Sequence, residues 1–291
     1  MNAILLTGGT GFLGRHLIEQ LNYNYKIFVL TRNKQNFKNS TQIKCINYNQ
    51  INYDLFFKSN KIKIIIHAAT NYGRENNFTG VIEANIYLPI TLIQNAIKYN
   101  VKAFINIDTF YNNGKNLYSY LPQYTMSKKF FFDWYKSLND KKLIFINAKL
   151  GLLYGPNDQK NKFVFELAKN LLNNRLIKLT KGLQKRDFTY VVDAANGIHY
   201  LCNKINLFEK CIHELYIGTG QLTTVKAFTI KAKQIFKSKS KLKFGALTYR
   251  ENEIFKPKCN TITMNSFGWK HKFNLENGLK NYLMDLKNND Q

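Results

Sequence analysis

A glycine-rich turn near the start of the chain limits its possible folds more than any other feature. Residues 7–14, TGGTGFLG, follow an apolar β-rich run at residues 3–7 and open a segment with helical periodicity. Gly8, Gly11 and Gly14 have the spacing G-x-x-G-x-x-G, which permits a tight turn, a close approach of the backbone to a phosphate, and close packing of helix on strand. In this strand–turn–helix context the motif predicts a dinucleotide-binding site.

The rest of the first half alternates β-rich runs with helical patterns, which is typical of a parallel sheet. Further strands are predicted at residues 26–31, 43–47, 63–68, 104–108 and 142–150, and long helices at residues 81–99 and 125–138. Apolar strands of this kind are buried on both faces. The sequence therefore predicts an α/β protein with a Rossmann-type doubly wound parallel sheet in residues 1–150. A smaller C-terminal α/β substrate domain is predicted over residues 151–291, with some crossing back.

The end of the second predicted strand selects the form of the dinucleotide. NAD-binding proteins usually place Asp or Glu there to bind the ribose hydroxyls, whereas this chain has Thr31 followed by Arg32. An arginine can pair with the 2′-phosphate of NADP, so NADP(H) is favoured over NAD(H). The pyrophosphate of either cofactor is expected against the N–H groups of Phe12 and Leu13, where the first helix begins.

The pentapeptide YTMSK, residues 124–128, supplies a candidate acid–base pair. Tyr124 and Lys128 are four residues apart, so they share one face of a helix. An ammonium beside a phenol favours the phenolate and is expected to lower the pKa of Tyr124. Such a tyrosine can give a proton to a sugar hydroxyl, or take one from it, during hydride transfer. The pentapeptide is informative because it follows the fifth strand of a glycine-loop fold.

Together these motifs resemble the extended short-chain dehydrogenase/reductase family, which includes NAD-dependent epimerases, dehydratases and reductases of nucleotide sugars. The shared segments keep the family's order along nearly the whole chain: TGGTGFLG, IIHAAT, ANIYLPITLIQNA, YTMSK, LYGP, KRDFTYVVDAA and FGWKHKFNLENGL. Within the family, ATNYGR, NIDTFY, YTMSKKFFFDWYK and GLQKRDFTYVVD are similar to stretches of the CDP-abequose and CDP-paratose synthases. The resemblance implies that a CDP-4-keto-3,6-dideoxyhexose is reduced with NADPH.

The resemblance also implies roles for individual residues. It makes Tyr124 the acid–base catalyst and Lys128 its partner and a ribose ligand. Thr109, at the end of the fifth strand, matches the family's catalytic Ser or Thr. Further cofactor contacts are implied at Ala68 and Asn85.

The predicted substrate contacts lie in three separate segments. Arg186 matches the family arginine that often grips the substrate diphosphate, and Arg250 is a second candidate, because bidentate arginine suits phosphate oxygens. Tyr72 and Arg74 follow the fourth strand at its carboxyl end, where ligands bind in open α/β sheets. Dehydratases of the family carry Thr-Asp-Glu at the end of the fifth strand, whereas this chain has Asp-Thr with no Glu after it. Dehydration is therefore not expected.

The charge balance narrows the choice of partners. The formal net charge is +25, from 43 Lys and Arg against 18 Asp and Glu, and six of the 43 are Arg. Because the lysines are spread over the whole chain and not concentrated in a stripe, the excess is interpreted as a drift in composition and not as a nucleic-acid surface. A positive field would still favour an anionic substrate such as a nucleotide-diphosphate sugar. The chain has no apolar run of about 18 residues and no signal-peptide pattern at its start. No membrane partner, a cytoplasmic location and no metal are expected, and a homodimer is left open.

Three functions remain as alternatives at this point. The first is an NADP-dependent 4-ketoreductase of a nucleotide-activated deoxysugar, and Arg32 favours it. The second is a nucleotide-sugar 4-epimerase with tightly held NAD, which would use the same Tyr124 and Lys128. The third is a non-catalytic NADP-binding regulator or scaffold, which the intact Tyr/Lys pair disfavours.

Overall fold

The protein is built on a central sheet of seven parallel strands. The structure, a computed structural model, describes residues 2–32, 40–112, 121–257 and 259–289. Numbered along the chain, the strands of this sheet are β1 (Asn2–Thr7), β2 (Tyr25–Thr31), β3 (Ile43–Asn47), β4 (Ile62–His67), β5 (Ala103–Thr109), β6 (Ile144–Leu150) and β11 (Ile212–Ile217). Their order across the sheet is β11-β6-β5-β4-β1-β2-β3. The order reverses between β1 and β4, which opens a crevice at the carboxyl ends of these strands.

Helices cover both faces of the sheet, which confirms the predicted doubly wound α/β class. Apolar residues of α1 (Phe12–Leu21) and α7 (Val191–Asn203) pack with one face, and α2 (Tyr53–Ser59), α4 (Leu88–Lys98) and α5 (Pro122–Ser137) contribute to the core on the other. The strands lie between these layers because their side chains are apolar on both faces, as the fully buried Ile64, Ile65 and Ile66 of β4 show.

The helix predicted from residue 81 begins three residues earlier, with α3 (Phe78–Ile82). Asn77 caps it, since its side-chain oxygen accepts a hydrogen bond from the Gly80 N–H at 3.0 Å. A π-helical turn at Glu83–Tyr87 then connects α3 to α4. Pro89, which has no N–H to donate, is the second residue after this turn, and such an irregular turn accommodates a proline inside a long helix.

The second half of the chain contributes to two cores. Its strand β11 extends the central sheet beside β6, and α7 packs against α1. Its remaining elements are β7 (Leu152–Tyr154), α6 (Phe163–Leu172), β8 (Ile177–Leu179), β9 (Lys185–Arg186), β10 (Phe188–Tyr190), β12 (Thr223–Thr224), α8 (Val225–Ile235), β13 (Leu242–Phe244), α9 (Ile262–Ser266) and α10 (Leu275–Asn289). Many of them share an aromatic core in which the rings of Phe188 and Phe228 stack at 3.8 Å.

Candidate active site

A cleft of about 990 Å³ lies at the carboxyl ends of the central strands. Its described lining includes the predicted residues Gly8, Gly11, Phe12, Leu13, Gly14, Arg32, Ala68, Tyr72, Arg74, Thr109, Tyr124, Arg186 and Arg250. The volume is at the upper end of the range for small-molecule sites. The fold therefore brings residues from distant parts of the sequence to one cleft. Asn85 and Lys128 are not among the described residues that line it.

The glycine loop forms one wall of the cleft. Gly8 has a φ of +71°, a conformation that glycine adopts without a steric penalty. The Gly11 N–H donates to the Gly8 carbonyl at 2.9 Å, which closes the turn. A Cβ atom on Gly14 would lie 2.0 Å from the Gly8 oxygen, so no side chain fits there without rearrangement. Helix α1 begins at Phe12, and its first N–H groups are available to a phosphate in the cleft.

Tyr124 and Lys128 occupy successive turns of α5. Tyr124 is 7% exposed and Lys128 is 1% exposed. The Tyr124 ring packs against Tyr72, with 4.8 Å between the ring centroids. The Lys128 ammonium lies behind the cleft wall, where it donates to the Ile107 carbonyl at 2.9 Å. The Tyr124 side chain thus faces the cleft, whereas the Lys128 side chain is buried one helical turn away.

The pKa of the Tyr124 phenol is raised well above its ordinary value, not lowered as the sequence predicted. Burial is the main cause, and neighbouring Tyr72 adds to it, while a hydrogen bond with Thr109 opposes it. Burial also lowers the pKa of Lys128 to about 8, although the Asp108 carboxylate acts in the other direction. The direction differs from the prediction because the removal of water from a phenolate outweighs the helical neighbour. Tyr124 is therefore a neutral phenol at neutral pH.

A chain of polar side chains behind Tyr124 was not predicted from the sequence. The carboxylate of Asp108 accepts hydrogen bonds from the Thr109 N–H and from the Asn147 side chain, both at 2.8 Å. Asn147 in turn accepts from the Asn106 amide at 2.7 Å. All of these residues are buried. Asp108 is therefore fixed in place, with its negative charge available to the buried ammonium of Lys128.

Asn85, predicted as a cofactor contact, is engaged by groups of the protein itself. Its amide nitrogen donates to the Asn71 carbonyl at 2.8 Å and to the Ser127 hydroxyl at 2.9 Å. Its oxygen accepts from the Asn71 N–H at 2.9 Å. The side chain is fully buried. It therefore holds the segment after β4 against α5, the helix that carries Tyr124.

Arg186 lines the cleft and forms a buried ion pair with Glu253. Its guanidinium also donates to the carbonyl groups of Lys185 and Ile254, both at 2.6 Å, and lies 5.9 Å from the centroid of the Phe110 ring. Arg250 lines the same cleft. The sequence placed Arg186 here but gave no sign that Glu253, 67 residues further along, would neutralise it.

Arg32 lies at the end of β2, exposed and on the lining of the cleft. Its charge acts on Tyr48, which lines the same end of the cleft. Residues 33–39, which follow it, lie outside the described part of the chain. The described residues contain no group of three His, Cys, Asp or Glu side chains suited to a metal ion. They also contain no helix of the length and apolarity needed to cross a membrane.

Comparisons with known proteins agree with this geometry. The profile of the NAD dependent epimerase/dehydratase family matches residues 4–211. The chain belongs to this family. The predicted resemblance is thereby confirmed, and so, at the level of the family, is the prediction of an NAD(P)-dependent enzyme.

The individual relatives agree along almost the full length. A CDP-abequose synthase of Salmonella muenchen is 32% identical over 288 residues, which cover 96% of each chain. Among solved structures, MoeE5 in complex with UDP-glucuronic acid and NAD has a TM-score of 0.84 at 18% identity, covering 99% of this chain and all of the other. A UDP-glucose 4-epimerase of Thermotoga maritima with UDP-glucose also has a TM-score of 0.84, at 20% identity, covering 99% and 100%. These two structures share the fold.

Proposed function

We propose that this protein reduces the 4-keto group of a nucleotide-diphosphate deoxysugar with NADPH. The observation that carries the proposal is that Tyr124 and Thr109 face the same cleft as the glycine loop, with Lys128 buried beneath Tyr124. The similarity to a CDP-abequose synthase over 96% of the chain supports a sugar nucleotide as substrate and a reduction as the reaction. The solved structure of MoeE5 with NAD supports a nicotinamide dinucleotide as cofactor.

The residues of the cleft fit a dinucleotide. The pyrophosphate would lie against the backbone from Gly11 to Leu13, at the N-terminus of α1, where free N–H groups and the helix dipole favour an anion. This contact depends on the shape of the turn. A side chain on Gly8 or Gly14 would collide with the protein backbone and deform that turn. When bound, the reduced nicotinamide supplies the hydride.

Tyr124 supplies the proton in this reaction. As carbon 4 of the sugar receives hydride, the oxygen on that carbon gains negative charge and takes the proton of the Tyr124 hydroxyl. Because burial raises the pKa of Tyr124, the phenol is present at neutral pH, as an acid requires. The Thr109 side chain lines the cleft beside this hydroxyl and acts on it, since it opposes the rise in the pKa of Tyr124, and in this proposal it orients the hydroxyl. Lys128, one helical turn away, supplies the positive charge that stabilises the phenolate left after proton transfer.

Arg186 and Arg250 bind the substrate diphosphate in this proposal. Arg186 is preorganised by its pair with Glu253 and by two backbone carbonyl groups, and Arg250 adds a second positive charge.

Net consumption of NADPH separates the reductase from the 4-epimerase that would use the same tyrosine and lysine. The reductase oxidises one NADPH for each CDP- or dTDP-4-keto sugar converted. A pure epimerase would return its hydride to the same carbon and consume no added cofactor. We expect the amount of NADPH oxidised to equal the amount of product formed. Interconversion of 4-epimers without net oxidation of NADPH would favour the epimerase.

Arg32→Ala is expected to weaken NADPH binding by about 1.5–3 kcal/mol, the range for a hydrogen bond to a charged group, and to leave NADH binding nearly unchanged. The reason is that Arg32 lies on the cleft lining at the end of β2, where a 2′-phosphate would lie. Titrations of both cofactors measure this difference. Arg15→Ala is the control, because Arg15 is exposed but is not among the described residues of the lining. Equal losses for the two cofactors would contradict the assignment.

We propose, further, that two copies of the chain pair through α3 and α5. Phe78 and Ile82 on α3 and Met126 and Phe130 on α5 are about half exposed, and the two helices contact each other. An apolar patch of this kind can be buried by the same patch of a second copy. Light scattering is expected to give the mass of a dimer for the wild type and of a monomer for Phe130→Glu.

Tyr23→Glu is the control for this experiment, because Tyr23 is 82% exposed and lies outside α3 and α5. It is expected to remain dimeric. A monomeric wild type would refute the pairing, and a dimeric Phe130→Glu would refute this surface as its location.

A further inference from the structure

The loop between β7 and α6 places a partly buried ion pair on the cleft wall beside the glycine loop. The Lys162 ammonium lies 3.0 Å from a carboxylate oxygen of Asp158. It also lies 5.0 Å from the ring centroid of Phe12 and 5.8 Å from that of Tyr72. Both Lys162 and Asp158 line the cleft. No predicted motif included either residue.

The Asp158 carboxylate is bonded on one side only. Its side chain is 1% exposed, and one oxygen accepts from Lys162 and from the Gln159 N–H at 2.8 Å. The other oxygen, Oδ2, has no hydrogen-bond partner within the described ranges of the chain. A buried acceptor left in this state is unfavourable unless a ligand or water donates to it.

Lys162 stays charged although it is mostly buried. Burial lowers the pKa of its amine, but Tyr72 and Asp158 outweigh that effect, so the pKa lies above the ordinary lysine value. Arg74 lies on the same side of the cleft, 5.7 Å from the Tyr72 ring centroid. Lys162 and Arg74 thus bring two positive charges to the part of the cleft that holds the Asp158 carboxylate, and such a pair of cations suits an anion.

The loop is held in place before any ligand binds. His16 on α1 donates through Nε2 to the Pro156 carbonyl at 3.1 Å, which ties the loop to the helix that follows the glycine turn. Asp158 then fixes Lys162 within the loop. A cation held in this way loses little conformational entropy when it meets an anion.

The proposed reaction requires two anionic groups in the cleft, the pyrophosphate of the cofactor and the diphosphate of the substrate. Arg186 and Arg250 both line the cleft, and Arg186 lies 5.9 Å from the ring centroid of Phe110, just after β5. Lys162 lies next to the glycine loop, because its ammonium is 5.0 Å from the ring centroid of Phe12, the residue at which α1 begins. We infer that Lys162, oriented by Asp158, is the side-chain half of the cofactor pyrophosphate site, opposite the backbone half formed by residues 11–13. This inference rests on the proposed function, since it requires a dinucleotide in the cleft.

Ligand titrations of Lys162→Ala test this inference without any turnover. The probes are NADPH, ADP-ribose, AMP and CDP, because only the first two carry the pyrophosphate of a dinucleotide cofactor. Binding of NADPH and ADP-ribose is expected to weaken by about ten- to a hundredfold, the equivalent of one lost hydrogen bond to a charged group. Binding of AMP and CDP is expected to stay within about twofold of wild type, since a change of that size is under 0.5 kcal/mol.

Two further variants separate a ligand contact from a structural role. Lys160→Ala is the matched control, because Lys160 is exposed in the same loop, and it should bind all four probes normally. Lys162→Arg keeps the charge and should retain most of the affinity for NADPH and ADP-ribose. Thermal unfolding without ligand should show that each variant is folded.

The other outcomes overturn the inference. Weaker CDP binding with normal NADPH binding would assign Lys162 to the substrate diphosphate. An equal loss of affinity for all four probes would show that Lys162 has a structural role. No loss of affinity for any probe would show that Lys162 does not contribute to binding. If wild-type protein binds CDP but neither NADPH nor ADP-ribose, the proposed function fails as well. If wild type binds both cofactor probes and Lys162→Ala binds them equally well, only the role of Lys162 is refuted.

Discussion

Tyr124→Phe is expected to lower the turnover of a 4-keto sugar nucleotide by about 10²-fold or more, the scale of a positioned acid catalyst. The substitution removes the hydroxyl that gives its proton to the oxygen on carbon 4 and leaves the aromatic ring in place against Tyr72. Binding of NADPH should remain close to that of wild type, because the variant keeps the glycine loop and Lys128. Steady-state kinetics and a cofactor titration on the same preparation measure both quantities.

Tyr135→Phe is the matched control for this substitution. Tyr135 lies on the same helix and is 1% exposed, but its hydroxyl donates to Asp140 at 3.3 Å and not into the cleft. The variant should keep near-normal turnover. Near-normal turnover in Tyr124→Phe would rule out Tyr124 as the acid, whatever the behaviour of the control.

Gly14→Ala and Gly11→Ala are both expected to bind NADPH more weakly than wild type, but for different reasons. The new Cβ atom at residue 14 would lie 2.0 Å from the Gly8 oxygen and 2.6 Å from the Gly9 Cα, so α1 must move away from β1. Overpacking of this kind lowers the free energy of unfolding by about 1–3 kcal/mol. Cofactor binding should be lost with the shape of the turn. Thermal unfolding without ligand and an NADPH titration show the two effects separately.

Gly11→Ala should instead leave the fold nearly intact and weaken the binding of the cofactor. Its Cβ would meet a single protein atom within 4 Å, the Gly8 oxygen at 3.2 Å, and the φ of Gly11 is −79°, which alanine adopts easily. The methyl group would stand where the pyrophosphate approaches the backbone, and a steric penalty of about 1–3 kcal/mol would weaken NADPH by about ten- to a hundredfold. Unchanged NADPH affinity in Gly11→Ala would mean that the cofactor does not lie against this turn.

Local patterns in the sequence were sufficient for the fold class and for part of the candidate site. The glycine spacing, the apolar strands and the Tyr124–Lys128 interval are visible because each depends on residues close together in the chain. The π-helical turn before Pro89 was not predicted, since the hydrogen bonds that form it depend on packing between helices.

The missed features of the site depend on partners that are far apart in sequence. Asp108 is held by Asn147, 39 residues away, and the two meet because β5 and β6 are neighbours in the sheet. Arg186 meets Glu253 across 67 residues. A sequence pattern cannot show which distant segments fold together, although a polar residue inside an apolar strand, such as Asp108, is a usable sign of a buried network.

The expected direction of the Tyr124 pKa was wrong for a related reason. The spacing of Tyr124 and Lys128 shows that a cation is near, but it does not show how completely the fold removes water from the phenol. In the structure that burial is the dominant influence on the pKa of Tyr124. The result strengthens the assignment of an acid, because the reductive direction needs a protonated tyrosine at the start.

Transfer of deuterium from NADPH labelled at carbon 4 of the nicotinamide tests the central claim most directly. Purified protein would be incubated with each of the two stereospecifically labelled cofactors and a CDP-4-keto-deoxysugar, and the product examined by mass spectrometry and NMR. We expect one deuterium at carbon 4 of the sugar from one of the two labelled cofactors, with an equal amount of oxidised cofactor. A sugar product with no deuterium from either cofactor, or interconversion of 4-epimers while the labelled NADPH stays unchanged, would contradict it.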